Sequence, residues 1–224
     1  MIDAAPFAPQ VLFHLGPVAV TRAVVTTWAI MAVLAGGSWL VTRRMDARPD
    51  RAQAVLELLV DGICGQIEET MRVAPRPFLP LLGTLFLFIL ASNLSAVVPG
   101  VQAPTARLET TAALAVLVFI ASHAWGIHDR GIKAYLSHYL EPSPLMLPLT
   151  LLSEITRTFA LMVRLFGNIM SHELVIAVLL GLAGLLVPVP IMALGLLIGS
   201  VQAYIFTVLA AVFLGAAVGS VEAG

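Results

Sequence analysis

Uncharged apolar stretches of membrane-spanning length constrain the fold of this chain more than any other feature. Residues 23–41 contain no charged side chain and are long enough to cross the hydrocarbon core of a bilayer as one helix. Hydrophobic residues make up 59% of the chain and charged residues only 11%, whereas a soluble domain has about 25% charged residues. The sequence therefore predicts an all-α integral membrane protein.

Hydrophobic patterning divides the chain into helical segments within a single membrane domain, 1–224. Residues 51–74 carry apolar residues at helical spacing and acids on other faces, which predicts an amphipathic helix along the membrane surface. The Pro188-Val189-Pro190 break separates the last two segments, which we interpret as a long tilted hairpin. About five spans are predicted, at 23–41, 77–99, 107–127, 145–186 and 191–218.

Basic residues indicate the orientation of these spans. The short segment 43–51 after the first span contains four arginines, and Arg130 and Lys133 follow the third span. Short loops rich in Lys and Arg lie preferentially in the cytoplasm. We therefore expect the loop 43–51 to be cytoplasmic and the N-terminus to lie outside, in a bacterial plasma (inner) membrane.

Several classes of function are disfavoured by composition and spacing. A formal net charge of -1 gives no basic surface for nucleic acid. Cys64 is the single cysteine, and His123 and His128 are five residues apart, which is poor spacing for metal ligands on one helix face. We therefore expect neither a metal nor a cofactor.

One polar stripe lies within the apolar stretch 145–186. At about 100° per residue, Glu154, Arg157, Asn168 and His172 fall within roughly 80° of Arg164 around a helix. Glu173 points almost opposite to Arg164. Arg164 is roughly 14 Å along the helix axis from either acid, so no acid lies one turn away.

An arginine in the middle of a membrane needs a counter-charge, because its insertion costs about 2.5 to 3.5 kcal/mol or more and the guanidinium keeps its proton. We interpret Arg164 as a fixed cation whose partner carboxylate belongs to another protein and comes and goes. Opposite charge would make each passing carboxyl release its ion. The alternative is a permanent pair within this chain or contact with a lipid headgroup.

Three further residues are candidates for the same chemistry. Glu173 beside His172 is a candidate proton relay, because a carboxyl in low dielectric exchanges protons near neutral pH. Gln202, in the last apolar segment, could bind the spare donors of Arg164. The alternatives are a solvated acid at a helix end for Glu173, and interhelical hydrogen bonds for His172 and Gln202.

The segment 164–168, RLFGN, resembles a signature of subunit a of the F-type ATP synthase. The similarity continues through the Glu173-Leu174 pair to the segment QAYIFTVL at 202–209. Weaker similarity includes Asn93, Pro99-Gly100 and Glu141-Pro142, so residues 90–215 are covered in order. The chain is thus identified by resemblance as a member of that family.

This resemblance implies a stator that cradles a rotating ring of c subunits and provides two offset half-channels for protons. Arg164 would separate the half-channels, Asn168 and Gln202 would orient it, Glu173 would line the outer path and Glu154 the cytoplasmic one. The b-subunit stalk and the other ATP synthase subunits are the implied partners, besides the lipid bilayer. The chain itself would be non-catalytic.

The chain departs from the family pattern at two positions that bear on the outer path. Arg107 and Glu109 follow Pro104-Thr105-Ala106, where many members have an acid, and Gly195 stands where many have a histidine. His172 could occupy the space of that histidine. Na⁺ therefore remains an alternative to H⁺, and a stand-alone secondary transporter and a scaffold subunit are the alternative functions.

Overall fold

The computed structural model describes residues 11–15, 18–43, 51–98, 101–132, 135, 147–184 and 187–219. Its long elements are helices, preceded by a small antiparallel hairpin. The strands are β1 (Val11–Leu15) and β2 (Val18–Thr21). The helices are α1 (Arg22–Thr42), α2 (Arg51–Met71), α3 (Leu79–Ser95), a 3-10 turn (Pro104–Ala106), α4 (Leu108–Arg130), α5 (Leu147–Ala183) and α6 (Pro188–Val218).

The predicted class, an all-α integral membrane protein, is confirmed. Helices α1, α4, α5 and α6 are each long and apolar enough to cross a membrane, and α3 is a shorter apolar helix of 17 residues. The hairpin β1–β2 was not predicted, although a signal for it is present. Two short apolar runs, VLFHL and VAVT, flank a Gly-Pro pair there, which is a typical hairpin pattern.

Helix boundaries differ from the predicted ones where prolines and glycines stand. Helix α6 begins at Pro188 and not at Ile191. Proline is favourable there because backbone N–H groups in the first turn of a helix have no partner within the helix, so the missing N–H of proline costs nothing. Gly184, the residue after α5, has a φ of +76°. Helix α4 continues to Arg130 and ends at Gly131, whose φ is 78°.

Helix α6 is the centre of the bundle and packs against α2, α3, α4 and α5. Its side chains Phe206 and Leu214 are almost fully buried, together with Leu82 of α3 and Leu165 of α5. In the most apolar part of α6, 44% of the residues are buried, compared with 11% in α5. Most of the surface of α5 is therefore left for lipid or for a partner.

The predicted surface helix is present as α2, and it ends at Met71 instead of residue 74. Its C-terminal half is anchored in the bundle, because Ile67 and Met71 are buried and the hydroxyl of Tyr204 in α6 donates to the Gln66 carboxamide oxygen. The N-terminal half leaves Val55 59% exposed. Whether α2 lies along the bilayer surface stays a prediction.

Some predicted features lie outside the described residues. These are the N-terminus, Arg44 and Arg48 of the basic segment, Pro99-Gly100, Lys133, Glu141-Pro142 and the two ends of the predicted stretch 145–186.

Candidate ion path

Arg164 lies near the middle of α5, and its side chain points out of the bundle. Within the described residues, no carboxylate lies at ion-pair distance from its guanidinium. Large apolar side chains, including Phe159 and Val163, are exposed on the same helix at 60% and 43%. The guanidinium therefore sits on an uncovered apolar surface, where it needs a partner from outside the chain.

Asn168 and Gln202 form a polar contact one turn beyond Arg164. Nδ2 of Asn168 donates to Oε1 of Gln202 over 3.3 Å, which joins α5 to α6. Gln202 is only 4% exposed, and its Nε2 has no acceptor among the described residues. The predicted contact between Gln202 and Arg164 is not among the hydrogen bonds of the described residues; the amide oxygen binds Asn168 instead.

Glu154 lines a cavity of about 240 Å³ near the start of α5. Its Oε2 lies 2.9 Å from Nε2 of His123 on α4. Arg157, one turn further along α5, lines the same cavity and holds its guanidinium 5.9 Å from the ring centre of Phe213. An acid and a guanidinium therefore share one partly open space, and His123 approaches the acid from α4.

Glu173 lines a second cavity, of about 190 Å³, towards the other end of α5. Arg107 and Glu109 line it as well, together with the turn that contains Ala103. The predicted departure at Arg107 thus lies beside the predicted relay acid.

His172 packs directly against α6 at Gly195. A Cβ on Gly195 would overlap the His172 imidazole, so this close approach requires glycine. The two residues also line a small void with Asn93. The imidazole thus occupies the space beside Gly195, as expected from the departure at that position.

The structure therefore divides the predicted polar stripe into parts. Asn168 and Gln202 lie together near Arg164, whereas Glu154 and Glu173 line separate cavities on either side of it. Along α5, Glu154 and Glu173 are each roughly 14 Å from Arg164. The partners of the two acids come from α4 and from the turn before it.

The sequence did not predict the contact that His123 makes with Glu154. The spacing of His123 from His128 only argues against a metal site, yet His123 meets Glu154 across the helix pair. The available signal was an imidazole inside a predicted span, because ionisable residues in a membrane are usually functional. The described part of the chain holds no group of three residues able to bind a metal ion.

Long apolar helices, an outward-facing arginine in mid-helix and polar cavities on both sides of it define an integral membrane protein that moves ions. Comparison with known proteins agrees. The family model described as ATP synthase A chain matches residues 24–215. The chain belongs to this family, whose members are the ion-translocating stator subunit of the F-type ATP synthase.

Individual relatives support the same assignment over the whole chain. ATP synthase subunit a 2 of Bradyrhizobium sp. is 58% identical over 223 residues, covering 100% of both chains. ATP synthase subunit a 1 of Chlorobaculum parvum is 49% identical and covers 92% of each chain. ATP synthase subunit a of Albidiferax ferrireducens is 49% identical, covering 87% of this chain and 85% of its own.

Proposed function

We propose that Arg164 is the essential charge of the ion path and that the two cavities beside it are the half-channels of a proton-translocating stator. The observation that carries this proposal is the outward guanidinium without an internal counter-ion among the described residues, located between two polar cavities. Such a group meets a carboxylate only if another protein brings it.

The partner that fits this surface is a ring of c subunits, each bringing a carboxyl to the depth of Arg164. A carboxyl that reaches the guanidinium loses its proton, because opposite charge favours the ionised form. Moving away from Arg164, the carboxylate takes a proton again from the other cavity. Rotation of the ring past a fixed cation then couples ion flow to movement in one direction.

The two acids give each half-channel a proton-carrying group. Glu173, with Arg107 and Glu109, would serve the outer half-channel, and Glu154 the cytoplasmic one. The basic segment after α1 supports this assignment, because it favours a cytoplasmic location for that end and an N-terminus outside. His172 would complete the outer path beside Glu173.

Small residues beside Arg164 support close docking of another helix. Ser153, Ala160 and Gly167 are seven residues apart, so they form a line along α5 next to Arg157 and Arg164. A Cβ on Gly167 would meet nothing within 4 Å. Small side chains let helix backbones approach closely in membranes. The remaining exposed surface is available to the b-subunit stalk and to lipid of the bacterial plasma membrane.

The decisive experiment replaces Arg164 by alanine in the complete ATP synthase. Arg164→Ala is expected to abolish ATP synthesis driven by a proton gradient in vesicles, while the complex still assembles. Arg76→Ala, an exposed arginine before α3, is the matched control and should keep parental synthesis. Synthesis that persists in Arg164→Ala vesicles would refute the proposal.

Vesicle experiments also test which ion is moved and whether this chain transports a solute on its own. A requirement for Na⁺ in place of a proton gradient would favour the Na⁺-translocating form of the same machine. Solute uptake by vesicles that contain only this chain would favour a secondary transporter. Loss of the chain from the complex when Asn168 or Gln202 is replaced would favour a scaffold subunit.

A further inference from the structure

The cavity beside Glu173 contains a buried oxygen that no group of the described residues hydrogen-bonds. This atom is Oε1 of Gln102, and Gln102 lines the cavity of about 190 Å³ together with Glu173. We propose that Gln102 binds a water molecule in this cavity and that this water passes protons to Glu173. The inference rests on the function proposed above, and it adds Gln102 as a positioning residue of the outer half-channel.

The groups that share the cavity leave the Gln102 oxygen without a hydrogen-bond donor. The oxygen of a carboxamide only accepts, and the ionised carboxylates of Glu109 and Glu173 also only accept. Arg107 carries donors, but none of them bonds to Oε1 of Gln102. The other lining side chains have no polar hydrogen: Ala103, Ala106, Leu108, Phe166 and Met170. A buried acceptor of this kind is unfavourable until a donor from outside the chain reaches it.

Water is the donor that fits this space. Each water molecule occupies about 30 Å³ in the liquid, so the cavity of about 190 Å³ has room for several. A buried water usually makes about three hydrogen bonds to polar groups. The lining offers them, because it combines the amide oxygen of Gln102 with two carboxylates and a guanidinium.

The backbone on either side of Gln102 is held in place. The Val101 amide donates to the Val98 carbonyl over 3.1 Å, and the Ala106 amide donates to the Ala103 carbonyl over 3.0 Å. Ala103, directly after Gln102, is fully buried. An acceptor carried by such a backbone holds a bound water in one place, as transfer along a fixed path requires.

The hydrogen bonds of this water set the direction of transfer. A water that donates one hydrogen to Oε1 of Gln102 and the other to the Glu173 carboxylate has only its lone pairs left for the rest of the cavity. A proton from the next water adds to a lone pair, and the hydrogen bonded to Glu173 moves onto the carboxylate. One proton enters and one is delivered, so the water is regenerated.

The test replaces Gln102 by leucine in vesicles that contain the complete ATP synthase. Gln102→Leu removes the acceptor and keeps a side chain of similar size. ATP synthesis driven by a proton gradient should fall about fivefold, the effect of losing one ordinary hydrogen bond. The ratio of the rates in H₂O and D₂O should rise, because proton transfer in the outer cavity then limits the rate. An unchanged ratio would overturn the inference.

Stability separates proton transfer from a packing role of Gln102. Leucine leaves no polar group to be satisfied in the cavity wall, so it should be neutral or stabilising there. The temperature at which the solubilised membrane sector dissociates should therefore be parental or higher in Gln102→Leu. A lower dissociation temperature together with slower synthesis would assign Gln102 a structural role and overturn the inference.

Two further variants identify the atom that matters. Gln102→Glu keeps an oxygen at the same reach and should retain most of the parental synthesis. Equal loss in Gln102→Glu and Gln102→Leu would show that the oxygen is not needed, which would overturn the inference. Gln53→Leu is the matched control, because the Gln53 amide donates to Glu57 within α2, one helix turn away. It should keep both the parental synthesis and the parental isotope ratio.

The outcomes distinguish this inference from the proposed function. Parental synthesis in Gln102→Leu, combined with none in Arg164→Ala, would overturn the role of Gln102 and leave the stator in place. Parental synthesis in Arg164→Ala would instead refute the proposed function. An electron cryomicroscopy structure of the complete synthase tests the site without any substitution. We expect a water oxygen about 2.7 to 3.2 Å from Oε1 of Gln102, and a protein donor at that position would overturn the inference.

Discussion

Asn168 donates from Nδ2 to Oε1 of Gln202 over 3.3 Å, and this hydrogen bond joins α5 to α6 one turn from Arg164. The contact leaves Nε2 of Gln202 buried and without an acceptor among the described residues. A buried donor left in this way costs about 1 to 3 kcal/mol. An unsatisfied buried group of this kind is typical of functional sites, which makes the two amides beside Arg164 candidates for a role in the ion path.

Replacing both amides tests whether they serve the ion path or only join the helices. Asn168→Leu with Gln202→Leu removes both partners of the bond, and stability should change by about 1 kcal/mol or less. We expect the complex to assemble and ion-driven ATP synthesis to fall at least tenfold, which is about 1.4 kcal/mol.

Ser200→Ala is the control for that double variant, because the Ser200 hydroxyl bonds within its own helix, to the Leu196 carbonyl. Its assembly and synthesis should be parental. If the double variant is instead missing from the membrane sector, the two amides act as interhelical glue and the scaffold alternative gains support.

Gly195 should tolerate no side chain while His172 is present. Gly195→Ala would put a Cβ inside the imidazole, and such overpacking costs about 1 to 3 kcal/mol. The temperature at which the solubilised membrane sector dissociates should therefore fall. Adding His172→Ala to Gly195→Ala should restore that temperature, even though the double variant lacks the imidazole. If the double variant dissociates at the same lowered temperature as Gly195→Ala, the packing argument is contradicted.

The fold was largely predictable because a membrane limits what apolar stretches can do. Uncharged residues 23–41 can only span or aggregate, and α1 is found at Arg22–Thr42. Boundaries at prolines were harder to predict, since a proline can either end a helix or begin one. Pro188 reads as part of a break in the sequence, but its missing N–H suits the first turn of α6.

The candidate site was less predictable, because helical periodicity describes one helix at a time. Periodicity placed Glu154 on the same side of α5 as Arg164, and this prediction concerns the geometry of α5 alone. It could not show that His123 of α4 lies 2.9 Å from Glu154, or that Arg107 shares a cavity with Glu173. Those contacts depend on how α4 and the turn before it pack against α5, which one sequence does not reveal.

Asn93 is predicted to stabilise the bundle and not to carry ions. Its Nδ2 donates to the Gly199 carbonyl over 2.8 Å, and its Oδ1 accepts from the Thr105 hydroxyl over 2.7 Å. Asn93→Ala leaves the buried Thr105 hydroxyl without its acceptor and removes the bond to the Gly199 carbonyl, so the dissociation temperature should fall, by an amount equivalent to about 1 to 3 kcal/mol. The fraction of complex that assembles should still synthesise ATP at the parental rate per complex. A parental dissociation temperature would contradict this role.

Gly167 offers a direct test of where the partner docks. Within the described part of the chain, a side chain here meets open space, since a Cβ would contact nothing within 4 Å. Gly167→Leu should therefore leave the fold of the chain intact and even favour the helix by roughly 1 kcal/mol. If the c-ring lies against the line of small residues beside Arg164, the added leucine should prevent close approach. We expect less ring to be retained with the chain and ATP synthesis to fall at least tenfold.

Gly181 supplies the matched control on the same helix. A Cβ on Gly181 would likewise have nothing within 4 Å, but this residue lies fourteen positions after Gly167, about 21 Å along α5. Gly181→Leu should retain the ring and parental synthesis, because it lies beyond the depth at which ring carboxyls meet Arg164. Equal loss in both variants would indicate a general effect on α5. Parental retention and synthesis in Gly167→Leu would assign the docking surface to another face of the helix.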